Sequence, residues 1–459
     1  MVPAGREPGN LAVSGESSLA RMRERLAARV ITANRIGSAA VAAALRDVPR
    51  HLFLPGLPPE SAYRDDAIVT KRDADGQPIS SSSQPAIMAI MLDQLDLAPG
   101  LRVLEIGAGT GYNAALMRHI VGRDGTVVSV DIDPEVAAEA RDHLASAGYQ
   151  DVTVVAADGA AGYPPAAPYD RVIATVGVSD LAPPWLDQQN PGGRVVVPLD
   201  VRGTQLAVAF EQAAPEGPEG PRQTASGYWR SVSLTPCGFM RMRGPLAGPE
   251  RTVVLASGLS VILPDGLTLA DGKEIDAGAV AGYLGGPPVE LATGITAGSV
   301  QVIWGLGLWL AAADPRSCTV SEERPASRLR GRGRQGSGPG ASRLARAPVR
   351  TRGLRATAGI VDSGGIAVLT ATPLPSQGTG AAPRLLALAV AGFGPHGSAL
   401  AARLVAHVEA WDQAGQPGPA GLHVDAYPRS SAAEPGNWGP GRGGLLIERP
   451  STRFAVYHT

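Results

Sequence analysis

The chain has 459 residues, and its 41 basic and 42 acidic side chains leave a formal net charge of −1 at pH 7. Ordinary domains rarely exceed roughly 200 residues, so the length predicts at least two domains. The balanced charge gives no overall attraction to nucleic acid or to an anionic membrane. Two cysteines, Cys237 and Cys318, are too few for a disulfide scaffold or a structural zinc site.

We expect residues 1–17 to be disordered. They lack the basic stretch followed by an apolar run that is typical of a signal peptide. No later segment reaches the roughly 18 uninterrupted apolar residues of a membrane span. We therefore expect a cytoplasmic protein with no membrane partner.

The first domain is predicted to span residues 18–247. Apolar residues recur at helical spacing through residues 19–54, which predicts a helical lead-in. Strand-like and helix-like runs then alternate up to residue 200, beginning with the helix "AIMAIMLDQL" and the strand "RVLEI". This alternation predicts a parallel sheet covered by helices on both faces, and the hairpin-like runs that follow predict antiparallel strands at one edge.

A second, smaller α+β domain is predicted for residues 248–323 and 357–459. Between its two parts, residues 324–356 are rich in Arg and Gly without periodicity, which is typical of a disordered linker or loop. A segment that binds an acidic peptide or nucleic acid is the alternative, but no aromatic residues interleave for base stacking. A local shift of reading frame is a third explanation.

One glycine-rich stretch, "VLEIGAGTGYNAALM", joins a predicted strand to a predicted helix between residues 103 and 117. Gly107, Gly109 and Gly111 permit close backbone approach, and the free N–H groups of the helix face the turn. The turn therefore predicts a nucleotide-type ligand. Its G-x-G-x-G spacing departs from the G-x-G-x-x-G pattern of dinucleotide sites, which weighs against NAD.

Acidic side chains follow the next two predicted strands. Asp131 is placed to accept hydrogen bonds from ribose hydroxyls, and Asp158 is placed to meet an adenine edge. Helix capping is the alternative for each residue alone, since "DPE" and "DGA" are typical capping sequences. Together with Glu105 they suit a cationic, sugar-bearing ligand better than a pyrophosphate, which predicts S-adenosyl-L-methionine (AdoMet) as the cofactor.

Seven segments across residues 18–244 resemble the protein-L-isoaspartate O-methyltransferases, in the family's order: "VPRHLFLP", "AYRDDAI", "PISSSSQPAIMAIMLDQL", "VLEIGAGTGYNAALM", "VVAADGAAGYP", "YDRVIATVGV" and "NPGGRVVVPL". The resemblance implies an α/β fold, namely a doubly wound, seven-stranded, Rossmann-like class I AdoMet-dependent methyltransferase domain followed by the smaller α+β domain. It implies that Ser83 is the active-site serine that contacts the acceptor carboxylate. It also implies a cofactor pocket lined by Glu105, at the methionine end, and by Gly107, Gly109, Gly111, Asp131 and Asp158.

Methyl transfer to a carboxylate needs little from the protein. A carboxyl group with a pKa of about 4 is already ionised at neutral pH, so catalysis is mainly alignment of the reacting atoms. A hydroxyl from Ser83 and a second hydrogen bond from Gln84 suffice, and we expect neither a nucleophilic triad nor a metal. His51, His119 and His143 are expected to be surface or packing residues.

The sequence departs from the family in two ways. Asp131 stands where the family usually has Glu, and Ser81 and Ser82 stand where the family has Thr and Ile before the serine. The C-terminal half is also additional, and it resembles the extension of actinobacterial methyltransferases that are encoded with lanthipeptide or graspetide pathways. That resemblance implies methylation of an aspartate in a cyclised ribosomal peptide, after which the ester closes to a succinimide.

Our leading hypothesis is an AdoMet-dependent carboxyl methyltransferase that acts on an aspartyl or isoaspartyl residue of a peptide or protein, in maturation of a ribosomally made peptide. Repair of damaged protein is the alternative within the class. An inactive docking protein of a maturation complex is the alternative from another class. A nucleic-acid methyltransferase is disfavoured, because the Asn/Asp-Pro-Pro-Tyr/Phe element is missing. Trp304, Trp309 and Trp411 are expected to lie in the core.

Overall fold

The computed structural model describes residues 9–74, 76–213, 227–249, 251–255, 259–264, 266–323, 349–351, 354–375, 385–431 and 444–458. The helices are α1 (Gly9–Asn34), α2 (Ala39–Asp47), α3 (Pro59–Ala62), α4 (Pro85–Leu95), α5 (Tyr112–Val121), α6 (Pro134–Ser146), α7 (Pro183–Asp187), α8 (Ala277–Gly285), α9 (Gly307–Ala313) and α10 (Gly397–Gln413). A π-helical turn, Gln301–Leu306, leads directly into α9. Short 3₁₀ turns lie at Arg50–Phe53, Gly159–Ala161, Pro164–Ala166 and Pro245–Ala247.

The strands of the first half are β1 (Ile68–Arg72), β2 (Pro78–Ser82), β3 (Arg102–Ile106), β4 (Thr126–Asp131), β5 (Thr153–Ala156), β6 (Tyr169–Ala174), β7 (Gln189–Val201), β8 (Thr204–Gln212) and β9 (Trp229–Pro236). Those of the second half are β10 (Thr252–Val254), β11 (Leu259–Ile262), β12 (Val289–Gly298), β13 (Ser317–Glu323), β14 (Val349–Thr351), β15 (Leu354–Asp362), β16 (Gly365–Pro373), β17 (Leu385–Phe393), β18 (Leu422–Pro428), β19 (Gly444–Glu448) and β20 (Thr452–His458).

The larger sheet contains the predicted methyltransferase topology. Its order is β19-β20-β18-β9-β8-β7-β6-β3-β4-β5, with parallel pairing from β5 through β7 and antiparallel pairing beyond. Strands β3 to β9 form the seven-stranded arrangement, and apolar side chains fill both of its faces. The predicted α/β fold class is confirmed.

The end of the chain returns to this sheet, which differs from the predicted division. Strand β18 pairs with β9, and β20 and β19 continue the sheet, so these three strands extend the first sheet instead of completing a separate C-terminal domain. The backbone N–H of Val424 also donates to the Ser231 hydroxyl at 2.8 Å. An uncovered edge at β9 would leave backbone groups unpaired, and β18 pairs with this edge at Trp229 and Arg230.

Two other segments also differ from what the sequence predicts. Residues 9–17, expected to be disordered, belong to α1. The Arg/Gly-rich stretch at residues 324–356 lies largely outside the described residues, and its described parts belong to β14 and β15. None of the helices in the described ranges is long and apolar enough to cross a membrane.

The second unit is built between β9 and β18. Its sheet is antiparallel, in the order β10-β11-β13-β15-β16-β17-β12, with β14 on β15. Helix α10 packs across β12, β16 and β17 and buries Trp411 completely. The unit has the α+β character that the sequence predicts.

A buried carboxylate, Asp314, connects α9 to α10. One oxygen of Asp314 lies 3.0 Å from His407 Nε2 and also accepts from Arg403 Nε, and the other accepts from the Arg316 backbone N–H at 3.0 Å. Burial opposes ionisation of Asp314, but the hydrogen bonds from His407 and Arg403 hold its pKa well below the usual range.

We expect Asp314→Ala to lower the free energy of unfolding by about 2 kcal/mol, because Arg403 and His407 would lose a buried hydrogen-bond partner. Since the folded pKa is depressed, this contribution is present above the ordinary carboxyl pKa and is lost as the pH falls toward the folded value. Urea unfolding at pH 7 and in acid measures both effects. Glu409→Ala, at an exposed position on α10, is the matched control, and equal losses from both variants would contradict the prediction.

Candidate active site

A cavity of about 730 Å³ opens at the carboxyl ends of β3, β4 and β6. Open α/β sheets bind ligands at this edge. The walls come from the β1–β2 hairpin, the loop before α4, the glycine turn after β3, the loop after β9 and the π-helical turn. The predicted site residues that line it are Ser83, Gln84, Gly107, Gly109, Asp131 and Asp158.

The glycine turn brings the backbone close to its neighbours. Gly107 has φ 100°, and a Cβ there would lie 2.6 Å from the Thr175 hydroxyl oxygen. Gly109 has φ 52°, and a Cβ there would lie 3.2 Å from the Ser81 carbonyl oxygen. Gly111 does not line the cavity but faces α6, so its role is packing. A side chain at Gly107 would collide with Thr175, and one at Gly109 would press on the β1–β2 hairpin.

Asp131 organises the loops on either side of it. Its Oδ2 accepts from the Gly109 backbone N–H at 3.1 Å, and its Oδ1 accepts from the Asp133 backbone N–H at 3.0 Å. The N-cap of α6 is Asp133, whose side chain accepts from the first turn of the helix. Asp131 is therefore not the cap of α6, and the alternative of helix capping is wrong for it. Asp131 lines the cavity, and its carboxylate oxygens keep further lone pairs that can accept hydrogen bonds.

Asp158 combines both of the roles considered for it. Its Oδ1 accepts from the Ala160 backbone N–H at 2.9 Å and so caps the turn Gly159–Ala161. The residue also lines the cavity, and a Cβ on Gly244 would lie 3.5 Å from its Oδ2. One carboxylate oxygen therefore holds the turn, while the other faces the space between Asp158 and Gly244.

Glu105 lies beneath the glycine turn and not on the cavity wall. Its side chain is fully buried, accepting from Ser129 Oγ at 2.5 Å and from Asn113 Nδ2 at 2.8 Å. Burial raises the pKa of Glu105 to about 7, although both hydrogen bonds act in the opposite direction. Asn113 does line the cavity, so Glu105 reaches the site through Asn113. The expected direct contact of Glu105 with the cofactor does not match this position.

The serine-rich loop rests on a buried arginine. Arg50 Nη2 donates to the Ser82 hydroxyl at 3.2 Å and to the Ser83 carbonyl at 3.1 Å, and the guanidinium lies 5.5 Å from the centre of the Tyr112 ring. Burial lowers the pKa of Arg50 from its ordinary value. Among the described residues, Gln84 at the N-cap of α4 makes no side-chain capping bond. Its amide is therefore not committed to the helix.

The loop after β9 forms a wall that the sequence did not predict. Gln205 fixes it by donating to the Phe239 carbonyl at 3.1 Å and accepting from the Phe239 N–H at 2.6 Å. Arg241 and Arg243 place positive charge on this wall, and Arg243 lies 3.8 Å from an oxygen of Asp133. No local motif marks the loop, because backbone contacts with residues distant in sequence position it.

Trp304 is the second feature that the sequence did not predict. Its apolar surroundings indicated a core residue, but Trp304 is half-buried and lines the cavity together with Ile303. Trp411 is fully buried, and Trp309 packs against the core of the second unit, as expected.

The three histidines lie outside the cavity lining, as expected. His51 Nδ1 lies 2.8 Å from the Tyr63 hydroxyl, and His119 Nδ1 lies 3.3 Å from the Tyr149 hydroxyl. His143 Nδ1 lies 3.1 Å from the carbonyl oxygen of Thr110, behind the glycine turn.

Comparison with known proteins identifies the family. The family model described as protein-L-isoaspartate(D-aspartate) O-methyltransferase matches residues 21–224. The protein-L-isoaspartate O-methyltransferase of Methanopyrus kandleri is 44% identical over 186 residues, which are 40% of this chain and 80% of that protein. The chain belongs to the protein-L-isoaspartate O-methyltransferase family. The enzyme of the same name from Hyperthermus butylicus is 37% identical over 230 residues, covering 48% of this chain and 88% of the relative.

A solved structure of a protein-L-isoaspartate O-methyltransferase aligns with 88% of this chain and 96% of its own, with 22% identity and a TM-score of 0.45. The family is AdoMet-dependent, so the predicted enzyme class and cofactor are confirmed. The family match ends before β9, so the loop after β9 and the π-helical turn lie outside it.

Proposed function

We propose that this methyltransferase esterifies the side-chain carboxylate of an aspartyl or isoaspartyl residue in a peptide or protein. One observation carries the proposal: a single cavity joins the acidic pair, Asp131 and Asp158, to the loop that presents Ser83 and Gln84. The acidic pair suits the ribose and adenine of a cationic cofactor. The serine and glutamine supply neutral donors suited to a carboxylate.

In this proposal the chain's own groups mainly position the reactants. When bound, AdoMet supplies a methyl group on a sulfonium, and its transfer to the carboxylate oxygen forms one C–O bond, breaks one C–S bond and moves no proton. Ser83 and Gln84 orient the carboxylate through hydrogen bonds, and Arg50 beneath the loop holds Ser82 and the backbone carbonyl of Ser83. Glu105 orients Asn113 from below. No general base is required.

We expect Ser83→Ala to lower kcat/KM for an isoaspartyl peptide roughly tenfold, because one hydrogen bond to a charged acceptor is lost. Steady-state kinetics with labelled AdoMet measures the change. Ser83→Thr keeps a hydroxyl and should retain most of the activity. Ser146→Ala is the matched control, since Ser146 is exposed at the end of α6 and lies outside the cavity lining. An unchanged kcat/KM for Ser83→Ala would contradict the proposal that Ser83 orients the acceptor carboxylate.

We further propose that the natural substrate is a modified, ribosomally made peptide. In that setting the methyl ester loses methanol when the next backbone nitrogen attacks it, and a succinimide results. Support comes from the second unit, which adds Ile303 and Trp304 to the cavity wall and lies outside residues 21–224, the part of the chain that the family model matches. Repair of damaged protein is the alternative within the class. An intact cavity weighs against an inactive docking protein.

One assay separates these functions. The protein is incubated with labelled AdoMet and, in separate arms, an isoaspartyl peptide, a cyclised precursor peptide or nucleic acid. Transfer to the cyclised peptide supports maturation, and transfer to the isoaspartyl peptide alone supports repair. Transfer to nucleic acid alone, or to none of the three, would contradict the proposed carboxyl methylation.

A further inference from the structure

A tryptophan from outside the family-matched residues lines the cavity. Trp304 lies in the π-helical turn, Gln301–Leu306, and shares the cavity wall with Ile303. The family model matches residues 21–224, so this wall lies outside the matched residues. π-helical turns are frequent at functional sites, because they redirect side chains away from regular helical spacing.

The π-helical turn and the start of α9 pack against two hydrophobic cores, that of the second unit and that of the larger sheet. Val302 and Leu306 pack into the cluster around Trp411 in the second unit. Leu308, four residues after Trp304, packs into the core of the larger sheet. Trp304 itself lines the cavity, between these two packed regions. The indole is therefore attached to a packed backbone segment and not to a free loop.

The strand order defines the end of the cavity that Trp304 lines. Asp131 and Asp158 follow β4 and β5, on one side of the glycine turn. Helix α9 begins beside the β7–β8 turn, on the other side, because a Cβ on Gly307 would lie 4.0 Å from Thr204 Oγ1. The turn that carries Trp304 therefore leads into α9 on the β7–β8 side of the sheet, whereas the acidic pair follows β4 and β5.

We infer that Trp304 forms a subsite for an apolar or aromatic side chain adjacent to the methylated residue. The inference rests on the proposed function, since a peptide whose carboxylate reaches Ser83 must leave the cavity past its wall. An indole offers a large, rigid surface on which an aromatic ring can stack. Ile303 and Phe239 add apolar surface to the same cavity.

Peptide binding tests the subsite independently of turnover. Two fluorescein-labelled isoaspartyl hexapeptides, which differ only in Phe or Ser after the isoaspartate, are titrated into the protein loaded with S-adenosyl-L-homocysteine. We expect the wild type to bind the Phe peptide roughly tenfold more tightly, by fluorescence anisotropy. Trp304→Ala should reduce this ratio to about one, and Trp304→Phe should retain most of it.

Val300→Ala is the matched control, because Val300 precedes the same turn, is 62% exposed and lies outside the cavity lining. It should leave the ratio unchanged, and thermal unfolding checks that each variant is folded. Equal Kd values for the two peptides, a preference that survives Trp304→Ala, or no binding of either peptide would overturn the subsite. Failure of the proposed function is distinguished by a separate result, namely binding without methyl transfer when AdoMet is supplied.

Discussion

Asp131→Ala is expected to weaken AdoMet binding roughly 100-fold. A hydrogen bond to a charged group contributes about 1.5 to 3 kcal/mol, and in the proposed site the carboxylate accepts from the ribose hydroxyls. The same carboxylate holds the Gly109 and Asp133 backbone N–H groups, so its loss also loosens the glycine turn. Isothermal titration calorimetry of AdoMet into wild type and variant measures the effect.

Two further variants separate binding from folding. Asp131→Glu keeps the carboxylate and, by resemblance, restores the residue usual in the family, so we expect affinity within a few-fold of wild type. Asp133→Ala removes the N-cap of α6 and should cost about 1 kcal/mol of stability while leaving most of the affinity. If Asp131→Ala binds AdoMet like the wild type, the cofactor site lies elsewhere.

The parallel half of the larger sheet could be predicted because its signals are local. Strand β3 is a short apolar run that ends at glycines, and each following helix has its own periodic pattern. The return of β18 to β9 could not be predicted in the same way. "LHVDAYP" indicates a strand, but its partner depends on which sheet edge is open, and Asp425 pairs with Arg230 from far away in the sequence.

The candidate site could likewise be predicted only where its signals are local. Asp131, Asp158 and the glycine turn converge because the carboxyl ends of parallel strands meet at one sheet edge. Trp304 was not predictable, since an apolar helical pattern does not distinguish a core face from a cavity wall. The predicted direct contact of Glu105 with the cofactor does not match the structure. The glycine motif does not reveal that Ser129 and Asn113 enclose the Glu105 carboxylate.

The buried carboxyl group of Glu105 makes stability depend on pH in a defined direction. The pKa of Glu105 rises from an ordinary 4.5 to about 7 on folding, because burial disfavours the charged form. Between these values the folded chain keeps a proton that the unfolded chain has lost. The contribution of Glu105 to the free energy of unfolding therefore falls as the pH rises through this window, by about 3 kcal/mol in total.

Glu105→Gln should abolish that dependence. A neutral amide fits the same space, accepting from Asn113 through its oxygen and donating to Ser129 through its nitrogen. The stability of the variant relative to wild type should therefore rise by about 3 kcal/mol from pH 4.5 to pH 8, as measured by urea unfolding at each pH. Glu135→Gln, at an exposed position in the first turn of α6, is the control and should show no such rise.

The same variant distinguishes the two positions considered for Glu105. If its carboxylate acts through Asn113, the amide preserves that hydrogen bond, and AdoMet affinity should change by less than about threefold. Direct contact with the cofactor's ammonium group would instead lose a charge-assisted bond and weaken binding roughly tenfold or more. A variant that is more stable at pH 8 and still binds AdoMet would establish that Glu105 supports the glycine turn from below. A large loss of AdoMet affinity would instead indicate that Glu105 contacts the cofactor directly.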